Sequence, residues 1–232
     1  MAVTDRGPAV NSIAYRVQTD RLLLRCWSPA DAPVLRAALD ASDTHLRPWI
    51  PFMKDEPRTF DQTVQWLRQH RTGFDTDQIY RYGVFSRDGG ELLGENMLIP
   101  RVGPGGLEIG YWTHVDSGRH GYATEASSAM VRVAFEVMGV ERVEIHCAPG
   151  NVASSAIPAR LGFRHEATLT GRAPDTEGNI HDLMIWTLFR EDYAASPASR
   201  MTMYAYNCPV SYTHLTLPTT LCMCRGRGSR GD

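Results

Sequence analysis

The sequence predicts one α+β (mixed α/β) domain with its elements in the order βααβββαβαββ. Three observations predict it. Apolar residues alternate in short runs bounded by glycine-rich turns, other apolar residues recur at helical spacing behind capping residues, and the composition is that of an ordinary globular chain. Of 232 residues, 43% are hydrophobic and 22% charged, which excludes a collagenous or largely unfolded protein.

Residues 19–27 alternate Leu22, Leu24 and Cys26 against Arg21, Leu23 and Arg25, the pattern of a strand with one buried face. Ser28, Pro29 and Asp31 fill the N-cap, N1 and N3 positions of a helix expected to run to about Leu39. Pro48 and Pro51 break the next stretch, and Val64, Trp66 and Leu67 mark a second helix. Strands at 80–86 and 91–101 flank Arg87-Asp88-Gly89-Gly90, a hairpin turn whose glycines accept positive φ. A second turn, Gly103-Pro104-Gly105-Gly106, leads into a strand at 107–112, so three antiparallel strands run in succession. A glycine turn around Gly118 and Gly121 then opens an amphipathic helix bearing Ala126, Met130, Val133 and Val137, which Gly139 is placed to end. A strand at 141–148, a helix at 151–161 closed by Gly162, and strands at 163–170 and 182–189 complete the order. The domain is expected to span 19–208, after a flexible N-terminal segment at 1–18.

From Pro209 the apolar periodicity stops and the sequence ends in alternating Arg and Gly. The stretch 209–219 reads as the translation of a sequencing adaptor, so 209–232 is expected to be a non-native or disordered tail. Charge is nearly balanced, with 24 Lys and Arg against 26 Asp and Glu; without the tail's three Arg and one Asp the remainder has 21 and 25, a net charge of −4. No field draws such a chain to nucleic acid or acidic lipid, and no membrane span or signal peptide is legible, so a cytoplasmic protein is expected. Five cysteines (Cys26, Cys147, Cys208, Cys222 and Cys224) match neither a disulfide framework nor a zinc site, and no metal is expected.

The chemistry is expected at the strand-to-helix junction around Gly118 and Gly121. A glycine-rich turn at a helix N-terminus presents backbone N–H groups and a positive dipole end to a pyrophosphate. Neither GxGxxG nor GK[ST] is present there, which excludes a dinucleotide fingerprint and a P-loop.

Residues 108–112 (EIGYW), followed five residues later by GRHGYATEA and further on by APGNVASSAIPARLGF, resemble the Gcn5-related N-acetyltransferase (GNAT) superfamily. TDRLLLRCW, HLRPWIPF and HDLMIWTLFREDY resemble its RimJ/RimL-type branch, which acetylates N-terminal amines. The family's loop pattern, (Gln or Arg)-x-x-Gly-x-(Gly or Ala), falls on Gly118, Arg119, His120, Gly121, Tyr122 and Ala123, departing at Gly118. The resemblance implies a mostly antiparallel sheet with a splay between its fourth and fifth strands, here 107–112 and 141–148. It implies acetyl-CoA as acetyl donor in that splay, with the backbone of Ile109, Gly110 and Tyr111 beside the thioester. Asn151 and Ser154 match the family's Asn-x-x-Ser, which implies that Asn151 binds the cofactor and Ser154, or failing it Ser155, faces the leaving sulfur.

The attacking amine must lose a proton. Glu108, Glu95, Asp175 and Glu177 are the candidates, and proximity to the thioester favours Glu108; the loop glutamate of some RimL-like enzymes is Pro174 here. His120 is expected to point to solvent or the CoA phosphates and His181 to shape the acceptor rim. Trp49 and Trp112 line a cleft or fill the core. The resemblance implies direct acetyl transfer in a ternary complex, with a protein or peptide N-terminus as acceptor. The alternatives are a small amine such as an antibiotic, polyamine or amino acid, and an acetyl-CoA-binding regulatory module. A monomer and a homodimer are equally compatible with the sequence.

Overall fold

A computed structural model describes residues 13–207. The residues 1–12, Cys208, Cys222, Cys224 and the expected tail lie outside the described residues. One nine-stranded sheet has the order β7-β8-β6-β5-β4-β3-β2-β1-β9. Its strands are β1 (Arg16–Gln18), β2 (Leu22–Cys26), β3 (Tyr80–Ser86), β4 (Leu92–Ile99), β5 (Gly106–Thr113), β6 (Arg142–Cys147), β7 (Arg164–Pro174), β8 (Ile180–Phe189) and β9 (Tyr204–Tyr206). Every neighbouring pair is antiparallel except β5 and β6.

Helices cover both faces: α1 (Ala32–Leu46) and α2 (Phe60–Asp75) on one, α3 (Tyr122–Arg132) and α4 (Val152–Leu161) on the other, with a short α5 (Arg190–Tyr193) after β8. Strand alternation separates two cores. Leu23, Trp27, Phe85 and Trp112 pack against Leu35, Leu39 and Leu67 beneath α1 and α2. Leu22, Leu24, Tyr82, Leu98, Ile109 and Ile145 pack against Met130, Val133 and Ile157 beneath α3 and α4.

Local chemistry sets the ends of these elements. Ser28 and Asp31 form a reciprocal capping box around a 3-10 turn, Pro29–Asp31, and α1 itself begins at Ala32. The helix continues to Leu46 rather than ending near Leu39, because Ser42 and Leu46 extend its buried stripe beyond Ala38 and Leu39. Thr59 and Gln62 cap α2 in the same manner. The α3 helix widens into a π turn at Val133–Val137 before Gly139, and Gly162 closes α4 in the left-handed conformation.

Two short strands, β1 and the edge strand β9, go beyond the expected order. Arg16–Gln18 pairs with β2 on one side and β9 on the other, so the domain begins before residue 19 and the expected flexible segment is a strand at its end. Only Val17 of these three residues is fully buried, too short an alternation to mark a strand in sequence.

Candidate active site

Parallel pairing between β5 and β6 covers Gly106↔Arg142, Leu107↔Val143 and Glu108↔Glu144, and then stops. β5 continues to Thr113 and β6 to Cys147, so the two strands diverge into a fork that opens beyond Glu108. Backbone groups on the facing edges of a fork have no ladder partner and are available to a ligand.

The glycine turn lies at the start of α3, where Gly121 is the N-cap at φ +80 and Arg119 also has positive φ, +63. Glu125 N–H donates to Gly121 O and begins the helical ladder. Among the described residues, the N–H groups of Arg119 to Thr124 make no backbone hydrogen bond of ordinary geometry. Arg21, immediately before β2, braces the turn: it donates to His120 O (3.0 Å), pairs with Glu125, and lies over the Tyr122 ring. Backbone donors left this open at a helix N-terminus can hold a phosphate-sized anion.

On the α3/α4 face of the fork, the Tyr111 hydroxyl lies 3.0 Å from Ser154 Oγ and donates to Ser154 O at 3.0 Å. Burial pushes the Tyr111 phenol well above its ordinary range and keeps it protonated. Cys147 is buried at the end of β6, and burial pushes its thiol up as well. Asn151 caps α4, its Oδ1 accepting from Ser154 N–H at 3.1 Å, so it orients the turn that carries Ser154. Ser155 Oγ instead donates to Val152 O.

The opposite, α1/α2 face carries the carboxylates. Glu95 is fully buried and accepts from Arg81 Nε and Nη2 (2.8 and 2.5 Å), Trp27 Nε1 (2.7 Å) and Trp112 Nε1 (3.0 Å). Burial alone would raise its pKa; the Arg81 charge and these donors outweigh it and hold the carboxyl below its ordinary range. All its bonding capacity is engaged, so Glu95 is a structural anchor, and Trp112 is a core residue bound to it.

Glu108 is also buried, with both carboxylate oxygens on Arg101 (2.7 and 2.5 Å). His146 Nδ1 lies 3.3 Å from Glu108 Oε2, while its Nε2 is 2.7 Å from Glu144 Oε2. Glu108 and Ser154 therefore lie at one fork but on opposite faces of the sheet. Strand alternation could have singled out Glu144 and His146: they are two apart on β6, in step with Glu108 on β5.

Asp175 lies in the turn between β7 and β8. Hydrogen bonds from Asn179, then from His181 and the backbone, hold its carboxyl down to about 2, which removes it as a proton acceptor. Glu177 is exposed in the same turn. This hairpin contributes to a rim: Thr176 donates to Arg47 O after α1, and Trp49 packs over Gly150 after β6. Trp49 is 40% exposed, a wall residue rather than a core one.

Residues 21–164, more than half of the chain, match the family described as Acetyltransferase (GNAT) domain. A Bacillus subtilis protein with the provisional name ribosomal N-acetyltransferase YdaF is 28% identical over 185 residues, covering 75% of this chain and 94% of its own. Mycobacterium smegmatis RimJ, solved with CoA-disulfide, superposes with a TM-score of 0.68 at 23% identity, covering 81% of this chain and 91% of its own. RimL, named a ribosomal L7/L12 α-N-protein acetyltransferase and solved with coenzyme A, gives 0.67 at 18% identity, covering 74% and 95%. The last two likenesses are of fold. The forked sheet, the donor-rich turn before α3 and the family match together make this chain a member of the GNAT acetyltransferase family, an N-acetyltransferase.

Proposed function

We propose that the protein transfers an acetyl group from acetyl-CoA to the α-amine of a protein or peptide N-terminus in a ternary complex. The observation that carries this reading is the fork with two chemically distinct faces. Acetyl-CoA would supply an activated acyl group, and the donor-rich turn at Gly118 to Ala123 fits its pyrophosphate. RimJ and RimL, the structural neighbours described above, are solved with forms of coenzyme A.

Each step then has a group near it. The backbone of Ile109, Gly110 and Tyr111 borders the opening and can stabilise negative charge developing on the thioester oxygen. Ser154, next to the buried Tyr111 phenol, would protonate the departing sulfur. Glu108, the carboxylate that the sequence favours as proton acceptor, lies on the opposite face, where a cationic amine would enter, with both oxygens paired to Arg101. Trp49, Gly150 and Thr176 would border the acceptor's path, and the names of YdaF and RimL favour a ribosomal protein among acceptors.

The acceptor class is tested by thiol release from acetyl-CoA, comparing N-terminal peptides with polyamines, aminoglycosides and amino acids. Peptides are expected to have the highest kcat/KM. A small amine leading the series would replace the N-terminal assignment.

Roles on the sulfur side are separable. Ser154→Ala is expected to lower kcat and kcat/KM together by about tenfold to a hundredfold, the low end of general acid help because thiolate already leaves well. Acetyl-CoA affinity should remain near that of the unmodified protein. Asn151→Ala should weaken acetyl-CoA binding and lower stability by about 1 kcal/mol through the lost cap. Full kcat in Ser154→Ala alongside a loss in Ser155→Ala would move the acid by one residue. Full kcat in both would assign it to water or Tyr111.

A further inference from the structure

We propose that His146 Nδ1 is the proton acceptor for the attacking amine, with Glu144 orienting the imidazole and Glu108 holding the ammonium group beside it. The inference rests on the acetyl-transfer reading and names the base for that reaction.

Geometry distinguishes the two ring nitrogens. Nε2 makes a short hydrogen bond to Glu144 Oε2 at 2.7 Å, which places the ring proton on Nε2. Nδ1 lies 3.3 Å from Glu108 Oε2 without forming a hydrogen bond to it, so in the neutral ring its lone pair faces the Glu108 carboxylate, and an ammonium proton entering between them would meet two acceptors. A carboxylate bonded behind Nε2 orients the ring as in a general base, and the Glu108 carboxylate beside Nδ1 favours the protonated imidazole formed when Nδ1 takes the proton. Both carboxylates have separate cationic partners, Arg101 on Glu108 and Arg142 on Glu144, at 2.5 and 2.9 Å. Glu166 on β7 accepts from Thr187, the β8 register partner of Glu144, and Arg164 of β7, also in register with Thr187, pairs with Asp192.

Placement supports the same role. Extending the β5/β6 register by two residues sets His146 opposite Gly110, on the face shared with Glu108. Gly110 adds no side chain on that face; a Cβ there would meet Met97 Cγ at 3.1 Å. The imidazole thus borders an opening where the acetyl carbon is expected. Ser154 and Tyr111 occupy the other face, so proton uptake and proton delivery are separated by the sheet.

In the reaction, the ammonium proton passes to Nδ1 and the freed nitrogen pair forms the C–N bond. The C–S bond breaks with its electrons going to sulfur, which takes a proton from Ser154, and the second proton shed by the nitrogen as the amide forms returns through water to the Ser154 oxygen. His146 then returns the acquired proton to water. Glu108 keeps its charge throughout.

The test is the pH dependence of kcat with a saturating N-terminal peptide, together with acetyl-CoA calorimetry, for the unmodified protein, His146→Gln, His146→Ala and Glu144→Gln. His146→Gln is expected to lower kcat by about 10²- to 10⁴-fold with unchanged acetyl-CoA affinity, and to remove the acid-side inflection in kcat. Added imidazole should restore part of the rate in His146→Ala. Glu144→Gln should lower kcat while shifting, not removing, that inflection, which covers the case of a His146 variant that fails to fold. An unaltered kcat–pH profile in folded His146→Gln or, where that variant does not fold, in Glu144→Gln would overturn the proposal while leaving acetyl transfer in place. Absence of amine-dependent turnover in the unmodified protein would instead overturn the acetyl-transfer reading and this assignment with it.

Discussion

Glu95→Ala is expected to destabilise the fold by about 3–5 kcal/mol, the loss typical of breaking a buried ion pair from one side. Its carboxylate gathers Arg81, Trp27 and Trp112 from three separate segments, and truncation leaves the Arg81 guanidinium, buried beside Phe52 and Trp66, without its counter-charge. For a domain of this size, each kcal/mol lowers Tm by about 2–4 °C, so a drop of roughly 6–20 °C is expected in a thermal melt. Glu95→Gln retains part of the hydrogen bonding and should fall between. The carboxyl's depressed pKa also fixes the sign of its pH effect. Its stabilising contribution is complete above the ordinary carboxylate range, near pH 4.5, and is lost as pH falls toward the lower folded value. Glu95→Gln should accordingly flatten the acid side of the stability curve. A variant melting within a degree or two of the unmodified protein would show that the four-donor cluster does not anchor the sheet.

The second large effect is on binding. Gly121→Val should weaken acetyl-CoA by about fivefold to 150-fold, because a β-branched residue at φ +80 carries about 1–3 kcal/mol of strain and relieves it by turning the loop amides. The position is not crowded, since the nearest atom to an added Cβ is Arg21 Nη2 at 3.5 Å. Backbone conformation rather than collision therefore drives the effect. Gly139→Val is the matched control: φ is +72, nothing lies within 4 Å, and it follows α3 at the other end. It should lower stability comparably and leave affinity unchanged. Calorimetry with equal affinities for the two folded variants would reject the turn as the phosphate site.

Much of this architecture is legible in the sequence because it is encoded locally. The strand run Leu22 to Cys26, the Ser28–Asp31 box and Gly162 each act within a few residues, and the structure follows them, except that Leu23 packs in the second core and the strand is buried on both faces rather than one. The short strands β1 and β9 carry no such signal: Tyr204–Tyr206 contains three residues and no fully buried one. The end of α1 is misplaced for a related reason, since after Leu39 its buried stripe passes through the polar Ser42 alone before resuming at Leu46.

Site chemistry divides in the same way. The glycine turn and the Asn151–Ser154 pair are contiguous motifs and can be read directly. Glu95, by contrast, has the same sequence appearance as a surface carboxylate; only the registers Gly83↔Glu95 and Glu95↔Trp112 bring its donors over it. His146 acquires its setting only when the parallel β5/β6 register places Glu108 and Glu144 side by side. Parallel pairing joins residues more than thirty positions apart, beyond the reach of a periodic pattern.

The central claim, that the β5/β6 fork and the turn before α3 form one acetyl-CoA site, is tested most directly by hydrogen–deuterium exchange with and without acetyl-CoA. Amides lacking a protein partner exchange readily until a ligand engages them. Acetyl-CoA-dependent protection is expected to concentrate in two segments, residues 109–111 and 119–124. Protection confined to other surfaces, with both segments exchanging as in the free protein, would contradict the claim.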